Sequence, residues 1–95
     1  MTNSEIAAIF ETIAILLELD GANPFRVRAY REGARVVAAE AEPLAAKVDE
    51  AGALEALPGI GKDLAQKIRD LVKTGTTAVL GELEAKFPPD RKSVV

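Results

Sequence analysis

Three groups of residues in this sequence are equipped to bind or react. The first is the string Leu57-Pro58-Gly59-Ile60-Gly61-Lys62-Asp63-Leu64-Ala65. Gly59 and Gly61 accept positive φ without steric cost, which predicts a sharp turn that other backbone can approach closely. Ile60 between them is expected to plug into the core. The amides of Gly61, Lys62 and Asp63 then open a helix, where they lack intrahelical partners and carry partial positive charge. Such a place suits a phosphate, and a phosphate contact positions a protein on nucleic acid without reading sequence. The second group is Arg26, one helical turn before Tyr30. Its direction falls inside an apolar arc, where an unpaired charge is costly. Arg26 either snorkels out at the helix end or meets an anion in a pocket shared with Tyr30. The third is Lys67, on the border of an apolar helix face. A partly desolvated lysine yields its proton more readily and becomes a nucleophile. The alternative is a surface lysine paired with Asp63, four residues earlier.

These groups need helices to hold them, and the composition supplies little else. The chain has 95 residues, 48% hydrophobic and 28% charged, with no cysteine or histidine. That is an ordinary globular balance for one domain. Phe10, Phe25, Tyr30 and Phe87 are its aromatics, so the core must be built from Ala, Leu, Ile and Val. The missing residue types exclude disulfides, the usual zinc sites and nucleophilic catalysis with a histidine base. No apolar run approaches the ~20 residues that span a bilayer. The N-terminus lacks the basic region of a secretory signal, and a cytoplasmic location is expected.

Periodicity predicts a first helix from about Ser4 to Leu19, with Ile6, Phe10, Ile13 and Leu17 inward. Thr2 and Glu5 fit a capping box there, although Asn3 or Ser4 could cap instead. Asn23-Pro24 should open a second helix reaching about Glu40. Phe25, Val27, Tyr30, Ala34 and Val37 are assigned to its apolar arc, and Arg28, Arg31 and Arg35 to a polar stripe. Shorter helices are expected over Pro43–Glu50 and Ala53–Leu57, with a turn at Ala51-Gly52. The next runs from about Lys62 to Lys73, stopped by Gly75. Leu64, Ala65, Ile68, Leu71 and Val72 face its core, and Lys62, Arg69 and Lys73 face solvent. Thr76 or Thr77 caps the last helix, to about Lys86, with Leu80, Leu83 and Phe87 inward. Pro88-Pro89 should end the fold, so residues 1–88 form the domain and 89–95 a tail or linker. No strand signal or repeat is visible. The expected fold is all-α, a small bundle of four main helices.

The net charge of −3 is unevenly spread. Residues 21–39 carry +3 and residues 57–79 carry +2, while residues 40–56 carry −4. The two positive segments hold the groups described above. The acidic balance leaves room for a protein partner instead.

The string Leu-Pro-Gly-Ile-Gly-x-x-x-Ala resembles the helix-hairpin-helix DNA-binding motif, in which Ala65 would let the second helix pack closely. Together with Asn23-Pro24-Phe25-Arg26-Val27-Arg28-Ala29-Tyr30-Arg31, it resembles the small N-terminal domain of family X DNA polymerases, especially the bacterial branch. The resemblance runs from about Glu5 to Pro88. It implies a helical bundle that binds gapped or nicked DNA, or a single strand, as a monomer in DNA repair. The DNA contacts would be Gly59, Ile60, Gly61, Lys62, Asp63, Arg26, Arg28 and Tyr30. It also implies a potassium or sodium ion at the carbonyls of Leu57 and Gly59. In family members with lyase activity, a lysine attacks a ring-opened abasic sugar, and Lys67 falls on that position. The polymerase palm is absent, so no polymerase activity is expected of this chain. Asp63 stands where lyase members have a phosphate-binding lysine, and Glu55 and Val79 replace basic positions. Asp63 would hold Lys67 in its charged, unreactive form. Three readings follow: a DNA-binding module, a 5′-deoxyribose phosphate lyase, or a protein-interaction domain that has lost DNA.

Overall fold

The computed structural model describes residues 1–50 and 52–87. The boundary at residue 88, the Pro88-Pro89 stop, the tail, and Ala51 of the expected turn lie outside the described residues. Four α-helices follow one another: α1 (Asn3–Leu19), α2 (Pro24–Ala39), α3 (Lys62–Thr74) and α4 (Ala78–Lys86). A single 3-10 turn, Leu44–Lys47, lies between α2 and α3. The described residues contain no strand, and the fold is the small all-α bundle expected.

The helix starts follow local side-chain chemistry. Thr2 caps α1 in a full capping box: its hydroxyl accepts the Glu5 amide, and the Glu5 carboxylate accepts the Thr2 amide. That carboxyl is held below its ordinary range by the Thr2 hydrogen bonds. Asn23 caps α2 by accepting the Phe25 amide, with Pro24 as the first helical residue. Thr77 caps α4 by accepting the Leu80 amide.

α1 and α2 form an antiparallel pair across a short connection. Phe10 meets Tyr30 edge to face at 5.6 Å, Arg31 pairs with Glu18, and Asn3 meets the far end of α2. Ile6, Phe10, Ile13 and Leu17 are buried as expected, with Ala7 and Ala14 beside them. The Asn3 amide donates to the carbonyls of Glu40 and Glu42 and accepts the Leu44 amide. One side chain therefore fastens the chain where it leaves α2.

Gly33 is the point of closest approach in α2. A Cβ there would lie 2.7 Å from Leu64 Cδ1 and 3.3 Å from Phe10 Cδ2. An interior helical glycine costs about 1 kcal/mol against alanine. In return, α3 and α1 both seat against the same turn of α2.

Two expected helices are not formed. Over Pro43–Glu50 only the 3-10 turn appears, because Pro43 offers no side-chain cap and only Leu44 and Val48 reach the core. Residues 53–57 form hydrogen-bonded turns, with Ala56 bonded to Gly52 and Leu57 to Leu54. Five residues are too few to recover the cost of a helical nucleus, and Pro58 disfavours helical backbone at Leu57. The first arm of the hairpin is thus a string of turns. Leu80 and Leu83 are buried, while Phe87 is half-buried at the edge of the described chain.

Candidate nucleic-acid interface

The turn between the arms is set by Gly59 and Ile60. Gly59 has φ +86°, in the region that favours glycine, and its Cα faces Val36 and Glu32 of α2 closely. Ile60 is buried, and its amide bonds the Leu57 carbonyl at 3.1 Å. Ala65 is fully buried and lets α3 approach the bundle.

Gly61 departs from expectation. Its φ is −87° and ψ −176°, ordinary extended backbone, so this glycine is not needed for the turn. A Cβ on Gly61 would meet nothing within 4 Å. What its missing side chain does is leave the start of α3 open. No side chain caps α3, whereas the other three α-helices are all capped. The first backbone bond of α3 runs from the Ala65 amide to the Gly61 carbonyl, so the amides before Ala65 open toward solvent.

Beside this opening lies Tyr30. It is 1% exposed, and its hydroxyl is buried with no hydrogen-bond partner among the described residues. Burial pushes the phenol above its ordinary value; the charge of Asp63 adds to this and Arg26 opposes it. Asp63 and Arg26 therefore both lie close to the same hydroxyl. An orphaned buried hydroxyl costs roughly 1–3 kcal/mol.

The cations of the described residues divide into two sets. Seven are paired: Arg31 with Glu18, Arg35 with Glu32, Lys47 with Glu42, Lys67 with Asp63, Arg69 with Glu55, Lys73 with Asp49, and Lys86 with Asp20. Among the described residues, Arg26, Arg28 and Lys62 have no carboxylate partner. All three are exposed, at the starts of α2 and α3. Arg26 snorkels out and lines a groove with Leu17, Asp20, Val79 and Lys86.

Arg28 is not brought to the Tyr30 side. It lies about 160° around α2 from Arg26, at 3.6 residues per turn. Its guanidinium sits 5.6 Å from the ring centroid of Phe25. Phe25 itself is 74% exposed, not on the apolar arc assigned to it. It lies about 140° from Tyr30 around the helix, which turns it outward. The other four residues of that arc are buried.

Lys67 is 20% exposed and its amine lies 3.1 Å from Asp63 Oδ1. This is the i, i+4 pairing that the spacing allowed. Arg69 is not on a solvent face: it donates to Glu55 and to the Val48 carbonyl. Nothing in the linear spacing of Arg69 and Glu55 signals that pair. Gly33 carried a weak signal, as a lone glycine inside a helical pattern. The Leu57 carbonyl, one of the two expected ion ligands, already accepts the Ile60 amide and keeps a second lone pair. No group of acidic side chains able to hold a metal occurs among the described residues.

A family model described as a helix-hairpin-helix domain matches residues 1–77. Among curated proteins, the chain is similar to DNA polymerase/3'-5' exonuclease PolX of Bacillus subtilis (strain 168), with 32% identity over 88 residues. The match covers 93% of this chain and 15% of that protein, so the chain spans a small part of the relative's length.

Proposed function

The chain belongs to the helix-hairpin-helix domain family, of the kind carried by X-family DNA polymerases, and from that premise we propose that it is a sequence-independent DNA-binding module of the repair type. It grips the sugar-phosphate backbone and the 5′-phosphate at a gap. The observation that carries this reading is the division of the cations. Seven are neutralised by carboxylates, and the exposed Arg26, Arg28 and Lys62 are left available. The uncapped start of α3 supports it, because free amides and the helix dipole favour an anion there.

The roles divide by position. The opening amides of α3 and Lys62 take backbone phosphate. Arg26 takes the terminal phosphate; the Tyr30 hydroxyl, buried in the free chain, gains the acceptor it lacks only when the side chains over it move aside to admit that phosphate. Arg28 and Phe25 lie on another side of α2, where an aromatic face with an arginine suits an unpaired base. A potassium or sodium ion at the Leu57 and Gly59 carbonyls would add positive charge beside the phosphate. In this reading the chain works as a monomer in the cytoplasm. No described helix is long and apolar enough to cross a membrane.

The test is binding to a short gapped duplex, with and without the 5′-phosphate, from 50 to 200 mM salt. With Lys62 and Arg26 engaged on phosphate, log affinity should fall with log salt at a slope of about 2. Tighter binding to the phosphorylated gap supports the Arg26–Tyr30 site. Equal, salt-dependent binding leaves the hairpin alone as the grip. Absence of binding overturns the reading in favour of a protein partner.

Lyase chemistry at Lys67 is the second reading. Its support is that Lys67 lies in the same site, bonded to Asp63 beside Tyr30. The ion pair must open before the amine can attack an aldehyde. Borohydride trapping on abasic DNA tests it, and equal trapping by Lys67→Ala would remove Lys67 from that role.

A further inference from the structure

The hairpin's first arm has no helix to hold it straight, yet it must deliver the turn to a fixed place. Its own backbone bonds are isolated turns, and Leu54 is its one fully buried anchor. Arg69, in α3, reaches across to it. Its Nε donates to the Val48 carbonyl at 3.3 Å, and its two terminal nitrogens donate to the two Glu55 oxygens at 3.0 and 3.3 Å. The side chains are 19% and 29% exposed. It is the one ion pair among the described residues in which both partners are less than a third exposed. Solvent screens such a pair less than a surface one, and the bidentate fork fixes orientation as well as distance.

Glu55 is also near a second cation. Its carboxyl is held below the ordinary range first by the Arg69 hydrogen bonds, then by its own backbone amide, and the charge of Lys62 contributes.

We propose that Arg69 is a positioning residue for the DNA grip: by clamping Glu55 it fixes the first hairpin arm on α3. The proposal rests on the DNA-binding reading for its use, and on the Arg69–Glu55–Val48 geometry for its existence. Arg69 would not touch DNA itself.

Arg69→Lys is the decisive variant, because it keeps the charge and loses the fork. Two properties are measured on the whole chain. One is amide hydrogen exchange at Ala56, Leu57 and Ile60, with Phe10 and Ile13 of α1 as internal controls. The other is affinity for the 5′-phosphorylated gapped duplex. We expect exchange in the arm to quicken about tenfold and affinity to fall by a similar factor, as for loss of one charge-assisted pair. The α1 amides should quicken by no more than the arm does. The exchanged pair, Arg69→Glu with Glu55→Arg, keeps net charge and should bring arm exchange back toward the parent rate. Parent-like exchange and affinity in Arg69→Lys would overturn the proposal. So would acceleration in α1 with none in the arm, which would mean general destabilisation without release of the clamp. If the parent chain fails to bind DNA, the functional reading falls, and the arm's exchange still shows whether the clamp exists.

Discussion

The starts of α2 and α3 are built in opposite ways. Asn23 closes the start of α2 with a side-chain acceptor, and Pro24 removes one amide that would need one. Gly61 brings α3 to its start with no acceptor at all. The first arrangement satisfies the backbone within the protein. The second leaves hydrogen-bond donors and dipole for something outside it. Among the described helices three starts are capped by side chains and one is left open.

The largest expected effect breaks the open end by breaking the turn before it. Gly59→Ala would force a side chain into φ +86° and place its Cβ 3.2 Å from Val36 Cγ2. Thermal or urea unfolding should show a loss of about 1–3 kcal/mol, and DNA binding should go with it. Thr77→Ala, at a closed end, should cost about 1 kcal/mol in the same unfolding experiment. Its affinity for DNA, measured below the melting transition, should match the parent's. Tyr30→Phe should sharpen the contrast by moving stability and binding in opposite directions. Removing the orphaned hydroxyl is expected to stabilise the free chain by about 1 kcal/mol. It should also erase any preference for the 5′-phosphorylated gap. The smallest effect compares Lys62→Ala with Lys73→Ala. The first should lower the salt slope of binding by about 1, and the second, already paired with Asp49, by much less.

Much of this was legible in the sequence, for reasons that differ by residue. Ile6, Phe10, Ile13 and Leu17 announce α1 by spacing alone, and Thr2, Asn23 and Gly75 mark ends through local chemistry. Lys67 and Asp63 met at the predicted i, i+4 distance because a helix fixes that geometry. The rest depends on where the chain returns and on helical direction. The apolar type of Phe25 suggests core, yet at 100° per residue it points away from Tyr30. The arm over residues 53–57 has helix-forming residues but too few of them to nucleate. Arg69 looks like a solvent-side residue on its own helix, and only the return of the chain places Glu55 and Val48 over it. Gly61 differs from the expectation drawn from its type: it is marked by an absent cap, and not by a positive φ.

The most direct test of the open-end claim is to close it. Gly61→Asp puts a carboxylate at the N-cap of α3, where no neighbouring atom obstructs it. An aspartate cap is favourable for the helix by a few tenths of a kcal/mol over glycine. It also occupies the amides and repels phosphate. Melting temperature and affinity for the phosphorylated gapped duplex should be measured on the same sample. The account predicts an equal or higher melting temperature with affinity reduced about tenfold or more. An unchanged affinity in a chain that melts no lower would contradict it.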